Sequence, residues 1–138
     1  GMATINEIKK TYNLFKNNKV DLAILHCISS YPNKDETSYL SNIRYLKEKF
    51  NCTIGFSDHT NDIKTSIYSS LLGAEIIEKH FMSSIKSNCV DSLVSIDPNK
   101  FKQMKKEIDN LKKIVSKPKF GLRREEKKSL IFKRNKIL

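Results

Sequence analysis

The fold is decided by residues 53–81, TIGFSDHTNDIKTSIYSSLLGAEIIEKHF, which follow the pattern strand, helix, strand, with a histidine at the end of each strand. Side chains two residues apart in a strand point to the same face. Ser57 and His59 therefore share one face, and Glu78 and His80 share one face of the later strand. If the two strands are parallel neighbours, these four side chains meet at their carboxyl ends, where parallel α/β folds hold their binding sites.

The rest of the chain continues the same alternation of helices and strands. Apolar residues at helical spacing predict helices, and short apolar runs between polar turns predict buried strands. The predicted helices are 6–16, 37–50, 62–72 and 101–115, and the predicted strands are 21–27, 53–57 and 75–81. The order αβαβαβα is typical of right-handed parallel βα units. Three strands leave two open sheet edges, so we expect the chain to be part of a larger α/β structure.

Local signals mark several helix ends. Thr4 and Glu7 have the spacing of a capping box at the start of the first helix. Thr60 or Asn61 is the expected N-cap of the third helix, and Gly73 is expected just beyond its end. Before the fourth helix, Pro98 has the position expected of a first helical residue. The helical segment 101–115 itself is expected to carry Met104, Ile108, Leu111 and Ile114 on its apolar side.

Composition limits the class of protein. The chain has 138 residues, 38% of them apolar and 30% charged, as in one globular domain. No apolar run approaches the ~18–20 residues of a membrane span, and the opening residues lack the apolar core of a signal peptide. We therefore expect a cytoplasmic protein without a membrane partner. Cys27, Cys52 and Cys89 form no CxxC pair and are interpreted as reduced thiols.

The positive charge is concentrated in residues 101–138, which hold 14 Lys/Arg against 4 Asp/Glu and so carry +10 of the total +11. The first interpretation is a solvated lysine-rich surface. The alternative is a remnant βα binding domain whose basic tail docks an acidic partner or nucleic acid. No zinc-finger or RNP pattern and no Gly/aromatic platform is present, so no specific nucleic-acid partner is expected.

Two histidines at the ends of neighbouring strands could coordinate a divalent metal. Two ligands are fewer than a structural zinc site requires. A metal bound by His59 and His80 would keep open positions for water or substrate, which favours a catalytic Mn²⁺ or Mg²⁺. The alternative is that both are hydrogen-bonded polar residues at the sheet rim. Glu78 could bind a substrate hydroxyl, act as an acid or base, or form an ion pair with a lysine.

Further polar residues fall near the same rim. In the segment HCISSYP, residues 26–32, Ser29 and Ser30 follow a strand end, where hydroxyls and backbone N–H groups can hold phosphate or carboxylate. His26 is interpreted as a packed strand residue rather than a third metal ligand. Asp91 is either one more acid at the rim or a turn-forming residue.

Four ordered segments, HCISSYP, GFSDHT, LGAEIIEKHF and D-x-x-x-S-x-x-P, resemble the C-terminal part of the sialic acid synthase family. These are the phosphoenolpyruvate-dependent synthases of N-acetylneuraminate and of legionaminic and pseudaminic acids. The resemblance spans residues 1–115. It implies that residues 1–116 are a partial TIM (β/α)₈ barrel, roughly its last three βα units, and that 117–138 form a basic linker. The resemblance also implies that the antifreeze-like domain, which follows in the family, lies outside these 138 residues.

The resemblance also implies a reaction. The metal, held by His59 and His80, polarises the aldehyde of an N-acyl hexosamine such as N-acetylmannosamine. C3 of phosphoenolpyruvate attacks that carbon, water adds at C2, and phosphate leaves. Because the first five strands and their phosphoenolpyruvate-binding lysines lie outside this chain, we expect the isolated chain to be inactive. The implied partners are the remainder of the barrel and, in the full-length enzyme, a second subunit.

The same resemblance implies substrate contacts. Ser57 would contact phosphoenolpyruvate, Ser29 would lie near the same ligand, and Glu78 would contact the aminosugar beside its reacting carbonyl. Asp91 would be a further substrate contact. Here Cys89 and Val90 stand where the family has a Gly-Pro turn before this acid. Because Gly-Pro presets the turn geometry, we expect the backbone before Asp91 to differ.

Overall fold

Three parallel strands alternate with four α-helices in the computed structural model, which describes residues 1–84 and 90–132. The strands are β1 (Ala23–Cys27), β2 (Thr53–Asp58) and β3 (Ile76–Lys79). The α-helices are α1 (Ile5–Asn17), α2 (Ser41–Lys49), α3 (Lys64–Leu71) and α4 (Pro98–Ile114), and short 3₁₀ helices span Asp35–Thr37 and Lys127–Phe132. The predicted order αβαβαβα is confirmed.

The sheet has the strand order β1-β2-β3, with β2 paired in parallel to both neighbours. Cys27 is in register with Ser57, which is in register with Glu78. The register therefore aligns the carboxyl ends of all three strands. Successive side chains of β2 point to opposite faces of the sheet. One face is covered by helices, and the other carries Ser57.

The helix-covered face of β2 forms the main core. Ile54 and Phe56 pack against Ile43, Leu46 and Phe50 of the α2 region, and each of the five is at most 6% exposed. Ile43, Leu46 and Phe50 recur at the helical spacing from which the second helix, 37–50, is predicted, and their burial on one side confirms that it is amphipathic. Their burial holds α2 against β2. This packing fixes the orientation of β2 and so the position of the residues at its carboxyl end.

A second apolar cluster joins α3 to α4. Ile63, Ile96 and Met104 are buried, and Ile67 and Ile108 pack against them. The prediction that Ile114 belongs to the same apolar side is wrong, since this residue is 76% exposed. The cluster forms around the middle turns of α4, and Ile114 lies in its last turn.

Two helices begin later than the sequence predicts. The second helix is expected from residue 37, but α2 begins at Ser41, because Tyr39 adopts a left-handed conformation with φ of 45°. The third is expected from residue 62, but α3 begins at Lys64 without a side-chain N-cap. Thr60 is not its cap, since the Thr60 hydroxyl bonds Thr65 and the Asp62 carbonyl instead.

Other end signals are confirmed. Thr4 and Glu7 form the reciprocal capping box of α1. Gly73 follows the end of α3 with φ of +101°, a conformation that favours glycine. Pro98 opens α4, whose N-cap is Asp97. The third strand is shorter than expected, because only Ile76–Lys79 pairs with β2.

None of the helices in the described ranges is long and apolar enough to cross a membrane. Cys27 and Cys52 are free thiols, as expected, while Cys89 lies outside the described residues. Burial raises the pKa of the Cys52 thiol, which disfavours its reactive thiolate form.

Gly55 lies in the middle of β2, where a side chain has no room. A Cβ atom there would stand 2.7 Å from the carbonyl oxygen of Ile76 and 2.9 Å from Cγ of Leu25. We expect Gly55→Ala to lower the free energy of unfolding by about 1–3 kcal/mol, because the backbone of β3 must move to relieve the clash. Urea denaturation measures this change, and an unaltered midpoint would contradict the packing described here.

Candidate active site

The two histidines predicted to meet do so at the carboxyl ends of β2 and β3. The ring centroids of His59 and His80 are 5.2 Å apart, with an angle of 65° between the ring planes. His59 is buried, with 5% of its surface exposed, and the His80 side chain is 30% exposed. One ring is thus fixed in the fold, and the other faces the opening of the site.

The hydrogen bond of His59 determines its tautomer. Nδ1 lies 2.8 Å from the carbonyl oxygen of Ile28, and 3.8 Å from Sγ of Cys27. Because a carbonyl oxygen can only accept, Nδ1 carries the proton and donates it. In the neutral ring the lone pair is therefore on Nε2, and a backbone carbonyl behind the ring is the usual support of a metal-binding histidine.

His80 contacts an acid through its corresponding nitrogen. Nδ1 of His80 lies 3.5 Å from Oδ2 of Asp91, whose side chain is 51% exposed. The structure therefore brings Asp91 to the rim, although the sequence departs from the Gly-Pro turn just before it. A carboxylate at Nδ1 leaves Nε2 of His80 as the nitrogen available to a ligand.

Ser57 and Glu78 form the second polar pair of the site. Ser57 Oγ donates a hydrogen bond of 2.7 Å to Oε1 of Glu78. Ser57 stands two positions before His59, and Glu78 stands two positions before His80. Two residues span roughly 7 Å along a strand, and their side chains point to the same face. The serine is buried while the glutamate is exposed, so the carboxylate is open to a ligand on this face.

Tyr31 is a member of the site that the sequence analysis did not assign. Its ring centroid is 4.0 Å from that of His59 and 5.7 Å from that of His80, the latter in an edge-on arrangement. The tyrosine belongs to the HCISSYP segment, 26–32, whose two serines were predicted to lie near the site. Nothing local indicated that its ring would reach across to the next two strand ends.

The two serines after β1 differ from each other. Ser29 is exposed. Ser30 donates to the carbonyl of Pro32 at 3.2 Å, so its hydroxyl is used within its own loop. Ser29 is therefore the more available of the two for a ligand at the rim.

His26 has the packed role that the sequence indicated. It is buried, its Nε2 lies 2.7 Å from the carbonyl oxygen of Ser38, and its ring stacks on Phe56 at 5.8 Å. Burial lowers the pKa of His26, while its bond to the Ser38 carbonyl opposes that shift. This histidine therefore belongs to the helix-covered face of the sheet and is separate from the pair at the rim.

A buried ion pair that no sequence signal indicated also lies between the same strand ends. Lys79 Nζ lies 3.4 Å from Oδ1 of Asp58, and their side chains are 1% and 0% exposed. Burial lowers the pKa of Lys79, and the charge of Asp58 opposes that shift. Asp58, rather than Glu78, thus provides the carboxylate of the lysine–carboxylate pair at this point of the sheet.

The donor set suits an ion with open coordination positions. Within residues 1–84 and 90–132, no group of three or more His, Cys, Asp or Glu side chains is arranged to hold a metal. Two imidazole nitrogens would therefore leave the remaining positions to oxygen atoms of water or substrate. A structural zinc site, in contrast, is closed by four protein ligands.

Together these features define an α/β protein with a small parallel sheet whose rim carries a histidine pair and a serine–glutamate pair. The chain belongs to the NeuB family, whose family model matches residues 1–119. The recognition of the sialic acid synthase family from the sequence is thereby confirmed.

Individual relatives carry related names. The chain is 36% identical over 136 residues to a pseudaminic acid synthase of Campylobacter jejuni, a match that covers 98% of this chain and 40% of the relative. It is 32% identical over 114 residues to the N-acetylneuraminate-9-phosphate synthase of Drosophila melanogaster, covering 81% of this chain and 31% of the relative. The chain thus spans about a third to two fifths of these relatives.

A solved structure has the same fold. The N-acetylneuraminic acid (sialic acid) synthetase of Leptospira borgpetersenii, determined in complex with citrate, matches with a TM-score of 0.87 and 32% identity. The match covers 96% of this chain and 46% of that one. The three-stranded parallel α/β arrangement is therefore shared with a sialic acid synthetase.

Proposed function

We propose that this chain is the C-terminal barrel portion of a nonulosonic acid synthase, which condenses phosphoenolpyruvate with an N-acyl hexosamine such as N-acetylmannosamine and releases phosphate. Family membership supports the class of enzyme. The observation that carries the proposal is the pairing of His59 with His80, 5.2 Å apart, beside a hydrogen-bonded Ser57–Glu78 pair.

The histidine pair fits a divalent metal, Mn²⁺ or Mg²⁺. Nε2 of His59 carries its lone pair because Nδ1 is committed to the Ile28 carbonyl, and His80 has Asp91 at its Nδ1. An ion held there would act as a Lewis acid toward the sugar aldehyde. Tyr31 covers the His59 ring, which keeps the imidazole in place and excludes water from one side of it.

The neighbouring residues would bind and orient the two substrates. We assign Ser57 and Ser29 to phosphoenolpyruvate, and Glu78 and Asp91 to the aminosugar. The bond of 2.7 Å between Ser57 and Glu78 supports this assignment, because residues that contact different substrates must lie close together if C3 of phosphoenolpyruvate is to reach the aldehyde carbon. Glu78 can then accept or return a proton at the sugar oxygen.

We further propose that the sheet continues on both sides as a (β/α)₈ barrel, of which this chain supplies roughly the last three βα units. The face of β3 that carries Glu78 is open, and Ile76 on that face is 41% exposed. An interior face of a barrel would be covered by the other strands. Four further expectations stay predictions. They are the linker at 117–138, a homodimer, a cytoplasmic location, and the alternative of a binding domain with a basic tail.

The test is a graft of this chain into the Leptospira borgpetersenii synthetase, in place of the segment that it matches. We expect the grafted enzyme to release phosphate from phosphoenolpyruvate only when Mn²⁺ and an N-acyl hexosamine are both present. The 138-residue chain alone is expected to release none. Phosphate release from phosphoenolpyruvate without any aminosugar, or activity of the graft that survives loss of both histidines, would contradict the proposal.

A further inference from the structure

The side chains of Asp58 and Lys79 lie behind the site, on the helix-covered face of the sheet. They are 0% and 1% exposed, and the register pairs the two residues directly. Each immediately precedes one of the paired histidines, because Asp58 stands before His59 and Lys79 before His80. Neither is among the residues to which the proposed chemistry assigns a role.

Lys79 bonds to both neighbours of His59. Its Nζ lies 3.4 Å from Oδ1 of Asp58 and donates a hydrogen bond of 2.5 Å to the carbonyl oxygen of Thr60. The residue before His80 therefore holds the residues before and after His59. A single side chain from β3 thus bonds the backbone after the first histidine and the carboxylate of the residue before it.

Asp58 completes this arrangement from the other strand. Its Oδ1 accepts a hydrogen bond of 2.8 Å from the backbone N–H of Thr60, which closes a turn around His59. Its Oδ2 accepts bonds from the hydroxyls of Thr65, at 2.8 Å, and Ser66, at 2.5 Å, in the first turn of α3. The carboxylate thus attaches the loop that holds His59 to both β3 and α3.

Stability alone does not explain such a pair. Removing two charges from water is costly, and well-packed apolar residues in place of a buried ion pair are often as stable or more so. What the pair provides here is a defined geometry, because its bonds all lead to residues adjacent to the two histidines or to the helix that follows. Polar side chains that support metal ligands from behind have this character.

We infer that Asp58 and Lys79 are positioning residues, a clamp that sets the separation and orientation of His59 and His80 and so the affinity of the site for a divalent metal. This inference rests on the proposed metal-binding role of the two histidines. The clamp does not touch the ion or the substrates, and it acts only through the backbone of the strand ends.

The test compares Lys79→Met with the double variant Asp58→Asn/Lys79→Met in the full chain. The double variant removes both charges and leaves no unpaired buried ion, so it is expected to regain stability lost in the single variant. Mn²⁺ affinity, measured from the electron paramagnetic resonance signal of free Mn²⁺, is expected to fall about 10–100-fold in both variants. A purely structural role predicts that affinity returns together with stability.

The matched control is Lys47→Met, which removes another lysine–carboxylate pair, Lys47–Glu75 at 2.9 Å, beyond the opposite end of β3. Its Mn²⁺ affinity is expected to equal that of the unmodified chain. Double-variant affinity equal to that of the unmodified chain would overturn the inference.

A second measurement does not depend on metal. Long-range ¹⁵N–¹H correlation spectra report which nitrogen of His59 is protonated, and we expect Nδ1 in the unmodified chain and a mixture of both tautomers in the double variant. If the unmodified chain fails to bind Mn²⁺, the metal-binding part of the proposed function is wrong, and the tautomer comparison still decides the clamp. An unchanged tautomer in the double variant would then refute it.

Discussion

Replacing His59 with alanine is expected to abolish the stabilisation of this chain by Mn²⁺. A ligand that binds only the folded state adds about 2.7 kcal/mol to the free energy of unfolding at a hundredfold excess over its dissociation constant. For a domain of this size that corresponds to a rise of about 10 °C in the midpoint of thermal unfolding. With one imidazole removed, His80 alone holds the ion too weakly to produce the shift. Circular dichroism melts with and without Mn²⁺ measure it.

The control for this prediction is the third histidine. His26→Gln changes a buried residue of the helix-covered face, whose Nε2 bonds the Ser38 carbonyl and which makes no contact with the rim pair among the described interactions. This variant is expected to melt at a lower temperature but to keep the full Mn²⁺ shift. Equal Mn²⁺ shifts in His59→Ala and the unmodified chain would show that the histidine pair is not the metal site.

Replacing Glu78 with glutamine is expected to lower the rate of phosphate release by the grafted synthase about 10²–10⁴-fold, the usual contribution of a positioned acid or base. The side chain is exposed and its described partner is Ser57 Oγ, so the substitution removes the charge with little change in stability. The Mn²⁺ shift should be retained, since both proposed metal ligands are left in place. A fall in kcat with unchanged KM for phosphoenolpyruvate is the expected signature.

Glu75→Gln is the matched control, because Glu75 is an exposed carboxylate just before the other end of the same strand and pairs with Lys47 at 2.9 Å. Its kcat is expected to stay within about twofold of the unmodified graft, as for an exposed surface residue. Equal rates for Glu78→Gln and Glu75→Gln would rule out a direct part for Glu78 in the reaction.

Much of the fold could be predicted because its signals are local. The capping box of Thr4 and Glu7, the glycine at position 73 and the apolar spacing of α2 each depend on residues within one or two helical turns, and each is confirmed. The predicted start of α2 is wrong for a related reason. Tyr39 has a left-handed backbone with φ of 45°, and the helical spacing of residues 37–50 carries no sign of it.

In the candidate site, too, some contacts could be predicted from local patterns and others could not. Strand alternation and parallel order are enough to bring Ser57 next to Glu78 and His59 next to His80, because side chains two apart share a face and parallel strands end at one edge. The Tyr31 ring over His59 and the Asp91 carboxylate at His80 arrive from loops. Loop positions follow from the packing of several elements at once.

The sequence by itself therefore determined the family, the order of elements and the pairing of four polar residues at the sheet rim. Only the tertiary structure decided that Asp58 and Lys79 are buried together behind that rim, and that His59 carries its proton on Nδ1. The physical reason is that both features require groups far apart in sequence to meet at hydrogen-bond distance. Asp58 and Lys79 are 21 residues apart, and they meet because β2 and β3 pair in one particular register.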